Sequence, residues 1–93
     1  MPKIYEYLGY DFFFYSNEHE PVHVHVKKGS SLMKFELLMN YNTLTINCLK
    51  YKKYDLFNAT ERNEIESFIE RKHVEIRSKW DDFFVLEKNL NLK

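Results

Sequence analysis

Cysteine is almost missing from this chain. The single thiol, Cys48, excludes any internal disulfide, and it alternates with Leu44 and Ile46 in the manner of a small core residue. No histidine or acid adjoins it in sequence to activate it as a nucleophile. Glycine and proline are scarce as well, at two each, which argues against a loop-rich or disordered chain. No apolar run approaches the ~18 residues of a membrane span, and no signal peptide is recognisable at the start. These absences predict a soluble, cytoplasmic protein without a membrane association. A surplus of charge is missing too. Lysine plus arginine equals aspartate plus glutamate, 14 of each. Strong nonspecific binding to nucleic acid usually draws on a basic surplus, so net charge does not support a nucleic-acid partner. Splitting the chain at residue 57 gives 7 basic and 6 acidic groups before it, and 7 and 8 after it. Lys50, Lys52 and Lys53, interleaved with Tyr51 and Tyr54, make a local basic run that reads as a solvated strand end.

What the chain has is aromatic rings: eight Phe, seven Tyr and one Trp. Large rings bury much surface per residue, which suits the small core of a 93-residue domain. The length predicts one domain over residues 1–93. Up to about residue 50 the apolar residues recur with period two. Lys3 to Leu8 and Tyr10 to Tyr15 are aromatic runs separated by Gly9. Val22 to Lys27, Leu32 to Leu38 and Leu44 to Cys48 alternate. Turns are expected at residues 16–21, 28–31 and 40–42. Beyond Asn58 the period changes to about 3.6. Ile65, Phe68, Ile69, Ile76, Trp80, Phe83 and Phe84 form one stripe, interrupted by Lys72. Asn58-Ala59-Thr60-Glu61 has the form of a capping box. The opposite face is charged, with Glu75 and Lys79 spaced to attract. The expected architecture is α+β: an antiparallel sheet of about four strands over residues 3–50, one long helix over about 59–84 packed on one sheet face, and a frayed tail at 87–93.

Three of the four histidines fall in His19-Glu20-Pro21-Val22-His23-Val24-His25-Val26. Strand periodicity puts His23 and His25 on one face and Val22, Val24 and Val26 on the other. If the valines meet the helix, the histidines lie on the open face. There, removing both would hardly change stability. Three roles compete for them. His-x-His spacing on a strand can converge two imidazoles on zinc or another divalent transition metal. His19 would be the third ligand, and Glu18, Glu20, Glu36 or Asp11 a further one. Alternatively, His23 and His25 act without metal as acid and base on a phosphodiester, with Lys27 and Lys34 holding the anion. Or they are the polar face of an edge strand. A recognition face for a protein partner or a second copy is also open. His73 lies on the helix, outside the cluster, and reads as a surface residue. The string is similar to that of the histidine-triad nucleotide hydrolases, but Pro21 stands where their further histidine is needed. It is similar to a cupin metal strand, but lacks that strand's glycines and spaced glutamate.

A closer resemblance comes from three features together: Met1-Pro2-Lys3-Ile4, Gly9-Tyr10-Asp11-Phe12, and the histidine run. Over roughly residues 1–84 the chain resembles a small bacterial family, domain of unknown function 4160. Its members read His, one residue, Pro-Pro, His-aromatic-His, then a short strand pair and a helix ending near a Trp, here Trp80. Val22 and Val24 depart from that pattern. The resemblance carries over His19, His23 and His25 and implies no activity. It implies a companion role beside toxin–antitoxin-type gene pairs, hence a binding or regulatory module. The rival reading is a metal-dependent or histidine acid/base hydrolase or nuclease.

Overall fold

The computed structural model describes residues 3–15 and 18–86, without the side chains of 85 and 86. The expected tail and part of the expected 16–21 loop lie outside these residues. Among the described residues, five antiparallel strands form one sheet in sequential order: β1 (Lys3–Tyr7), β2 (Tyr10–Phe13), β3 (His23–Lys28), β4 (Ser31–Asn40) and β5 (Thr43–Lys50). Five strands replace the expected four because the two N-terminal aromatic runs form a hairpin of their own. Leu8 and Gly9 both take positive φ, 52° and 82°, and Tyr7 pairs with Tyr10 across them. Two left-handed residues in a two-residue loop match the twist of the flanking strands. A Cβ on Gly9 would also come within 3.3 Å of the Lys28 side chain.

Helix α1 (Ala59–Trp80) follows. The capping box forms as expected: Asn58 Oδ1 accepts from the Glu61 N–H at 2.8 Å, and Glu61 Oε1 accepts from the Asn58 N–H at 2.9 Å. The helix ends earlier than the periodicity predicts, and residues 81–86 continue as a wider π-helical turn. Glu75 pairs with Lys72 at 3.2 Å, while Lys79 lies over the Tyr5 ring. Ile65, Phe68, Ile69, Ile76 and Trp80 are buried, as the stripe predicts. They pack with Tyr10, Phe12, Val24, Val26, Met33 and Phe35 in the main core. Phe84 packs beside this core, whereas Phe83 is exposed. Cys48 is half-buried against the same core. Among the described residues no helix is long and apolar enough to cross a membrane.

The opposite sheet face is not left open. Tyr15 and Glu18, from the chain between β2 and β3, and Tyr51, from the segment after β5, carry side chains back over it. Asp55 holds that segment in place. Its amide donates to the Ser30 carbonyl at 3.2 Å, and its own carbonyl accepts from the Leu32 amide at 3.3 Å. This arrangement decides the environment of the histidines.

Candidate functional site

His23 and His25 alternate with the valines along β3 in an unbroken register, His23 opposite Glu36 and His25 opposite Lys34. The expectation that the valine face is buried holds, with Val24 and Val26 fully covered. The expectation that the histidines face solvent does not: they are only 6% and 2% exposed. Periodicity reads which face a residue occupies, but it cannot see loops that later fold over that face. Here Phe13, Tyr15 and Tyr51 pack around the His25 ring, with Tyr15 nearest at 4.1 Å between centroids. His23 meets His25 edge-on and also contacts the Trp80 indole at the end of α1.

Glu18 completes the cluster. Its Oε1 lies 2.8 Å from His23 Nε2 and 3.0 Å from His25 Nε2, and its Oε2 lies 3.1 Å from His25 Nε2. Oε2 also accepts from the Tyr15 amide at 3.1 Å, which fastens the loop to the end of β2. The sequence places Glu18 only among possible further ligands and gives the third position to His19. The fold reverses that order. His19 is exposed, and the three-ligand cluster among the described residues is Glu18, His23 and His25. Consecutive residues in an irregular loop point in directions that no strand period predicts. Other candidate residues lie elsewhere. Lys27 is exposed at the far end of β3, and Asp11 pairs with Lys3 at 3.3 Å. Glu20 faces Arg77 at 3.9 Å, Glu36 accepts from Asn47, and His73 bonds the Glu70 carbonyl of its own helix. Tyr51, which holds His25 from 26 residues away, carries no sequence signal of its role.

Proton accounting constrains the cluster. The Pro21 carbonyl oxygen can only accept, so His23 Nδ1, 2.8 Å away, must donate to it. His23 Nε2 then faces a carboxylate oxygen, and two lone pairs cannot share that contact without a proton or a cation between them. His25 Nδ1 is bonded to the Tyr51 hydroxyl, which can donate or accept. Burial pushes the His25 imidazole below its ordinary pKa; the Glu18 carboxylate opposes that shift, and His23 and Lys34 reinforce it. Burial alone would raise the Glu18 carboxyl. Hydrogen bonds from His25 and His23 outweigh it, and Glu18 ends below its ordinary value. Burial also raises the Tyr51 phenol, with Tyr15 and Glu18 adding to the shift, so it remains a protonated hydroxyl.

The donor set fits a divalent transition metal. Two imidazoles and a carboxylate present atoms within 4.8 Å of one another. A tetrahedral site with ~2.0–2.1 Å bonds to nitrogen has ligand-to-ligand edges of roughly 3.3 Å, so the 2.8–3.1 Å contacts need only a small expansion. Each imidazole turns its Nε2 inward and its Nδ1 onto a fixed partner, the Pro21 carbonyl or the Tyr51 hydroxyl. Metal-ligating histidines are held in this way.

No curated protein and no solved structure matches this chain. The sequence model of one protein family does, over residues 9–81, a stretch that runs from the Gly9 hairpin through the histidine strand to the end of α1. The chain therefore belongs to the family described as Domain of unknown function (DUF4160).

Proposed function

We propose that Glu18, His23 and His25 hold a divalent transition metal, zinc foremost, and that the protein is a metal-dependent binding or regulatory module. The observation that carries this reading is the orientation of both imidazoles, with Nε2 toward the carboxylate and Nδ1 on a fixed partner. Zinc and its neighbours take imidazole and carboxylate ligands together. Bound there, the metal would tie the chain at Glu18 to β3, since Glu18 is the one ligand off the sheet. The near-complete cover over His23 and His25 favours a structural or regulatory metal over hydrolysis, which needs room for substrate beside the ligands. A companion role beside toxin–antitoxin-type gene pairs, which the family resemblance implies, would fit a module that acts by binding.

Tag-free protein purified without chelator, analysed by mass spectrometry of its metals, is expected to carry close to one transition metal ion per chain. Glu18→Ala is expected to carry almost none. Tyr51→Phe removes only the hydroxyl on His25 and is expected to weaken metal affinity about 10–100-fold, read by competition with a chromophoric chelator. Native protein that stays metal-free after incubation with zinc, cobalt or nickel would overturn the assignment.

A further inference from the structure

The zero net charge conceals an uneven distribution. Residues 21–54, which carry β3, β4, β5 and the turn after them, contain six lysines and one acidic residue, Glu36. The balancing acidic excess lies in the N-terminal hairpin, the loop before β3 and the C-terminal helical region. A division at residue 57 hides this, because it pools the basic block with the acidic N-terminal stretch.

The fold gathers part of that basic block on the sheet face turned away from α1. Lys27 shares the face of His23 and His25 by strand alternation, and Lys34 pairs with His25 across the sheet. The turn bearing exposed Lys52 and Lys53 is drawn over the same face by Tyr51, whose hydroxyl reaches His25. Among the described residues none of these four lysines makes an ion pair within hydrogen-bonding reach of a carboxylate, in contrast to Lys3 and Lys72. The nearby carboxylates are engaged: Glu36 by Asn47, Asp55 by the Ser30 hydroxyl and Asp11 by Lys3. Tyr54 stands among the lysines 44% exposed, with its ring edge-on to Tyr51.

We infer that this face is a docking surface for single-stranded nucleic acid. Unpaired lysines beside an exposed ring supply both parts of such recognition. Ammonium groups track phosphates, and a ring offers a stacking platform to any unpaired base. An acidic peptide would use the lysines and leave Tyr54 idle. The surface overlies the metal ligands and uses none of them, so metal content and strand binding are measured separately.

The test is fluorescence anisotropy of the full chain with a labelled, mixed-sequence oligonucleotide of about 12 nucleotides, made as DNA and as RNA. Binding is expected at about 50 mM salt and should weaken steeply by about 200 mM. The change Lys52→Glu with Lys53→Glu is expected to reduce affinity by roughly tenfold or more, and Tyr54→Ala by about tenfold. Lys72→Glu on α1 should leave it unchanged. Thermal melts should show all variants folded, since each change is at an exposed or half-exposed position. A preference between the DNA and RNA forms identifies the natural strand. No binding at low salt would overturn the inference, as would equal losses from Lys72→Glu. Polyglutamate binding as tightly as the oligonucleotide, with Tyr54→Ala neutral, would make the occupant an acidic peptide and also overturn it.

Discussion

At the scale of single residues, the decisive fact is that Glu18, His23 and His25 share one buried contact. Each is a costly group to cover unless paired. The pairing is what makes the cover tolerable, and it reverses an expectation drawn from periodicity. On an open face, His23→Ala with His25→Ala would hardly change stability. In the folded protein the two rings are packed against Phe13, Tyr15, Tyr51 and Trp80, and they compensate Glu18. Losing both leaves a nearly buried carboxylate with the Tyr15 amide as its remaining partner and no counter-charge, beside a cavity. A loss of about 3–5 kcal/mol is expected, measurable by urea denaturation of metal-free protein. A loss within ~0.5 kcal/mol would mean that the cover seen over β3 does not form in solution.

At the scale of elements, α1 is anchored to the N-terminal hairpin chiefly through Phe68. Its ring stacks on Tyr7 at 4.3 Å, meets Tyr5 edge-on at 5.3 Å and reaches Phe12 at 4.8 Å. The ring is 5% exposed, and it closes the gap between the helix and β1–β2. Phe68→Ala is expected to cost about 3–5 kcal/mol, read as a lowered denaturation midpoint with little change in slope. Amide exchange should show the added opening concentrated in Lys3–Phe13, since those strands lose their main helix contact. A change below about 1 kcal/mol would place the ring at the rim of the core instead.

For the whole molecule, the histidine–carboxylate cluster couples stability to pH. His25 has a folded pKa below its ordinary 6.5, so the unfolded chain binds that proton more readily. Its contribution is therefore present above about pH 6.5 and declines as pH falls toward the folded value. Glu18 is likewise depressed below its ordinary 4.5. Its contribution is present above that value and is lost as pH falls through the lower folded one. Both groups act in one direction. Metal-free protein is expected to lose thermal stability from pH 7 downward, with a further loss below about 4.5. Glu18→Gln should flatten the lower part of the curve. A melting temperature that does not change between pH 7 and 5 would contradict the assignment for His25.

Much of the architecture was legible in the chain because local rules decide it. Period two marked the strands, period 3.6 marked the helix stripe, and Asn58 with Glu61 marked its start, since side-chain spacing and capping depend only on near neighbours. The same local rule put His23 and His25 on one face and the valines on the other. Gly9 marked a break but not that the segments flanking it would pair as separate strands, which depends on the left-handed geometry of Leu8 and Gly9 together. The ligand set needed tertiary structure. Glu18 was chosen over its neighbour His19 by the path of a loop, and Tyr51 met His25 through a contact between residues 26 positions apart. The burial of both histidines came from segments folding over a sheet face that periodicity alone leaves bare. Alternation along a strand is set by the covalent backbone, whereas what covers each face is set by the packing of segments distant in sequence.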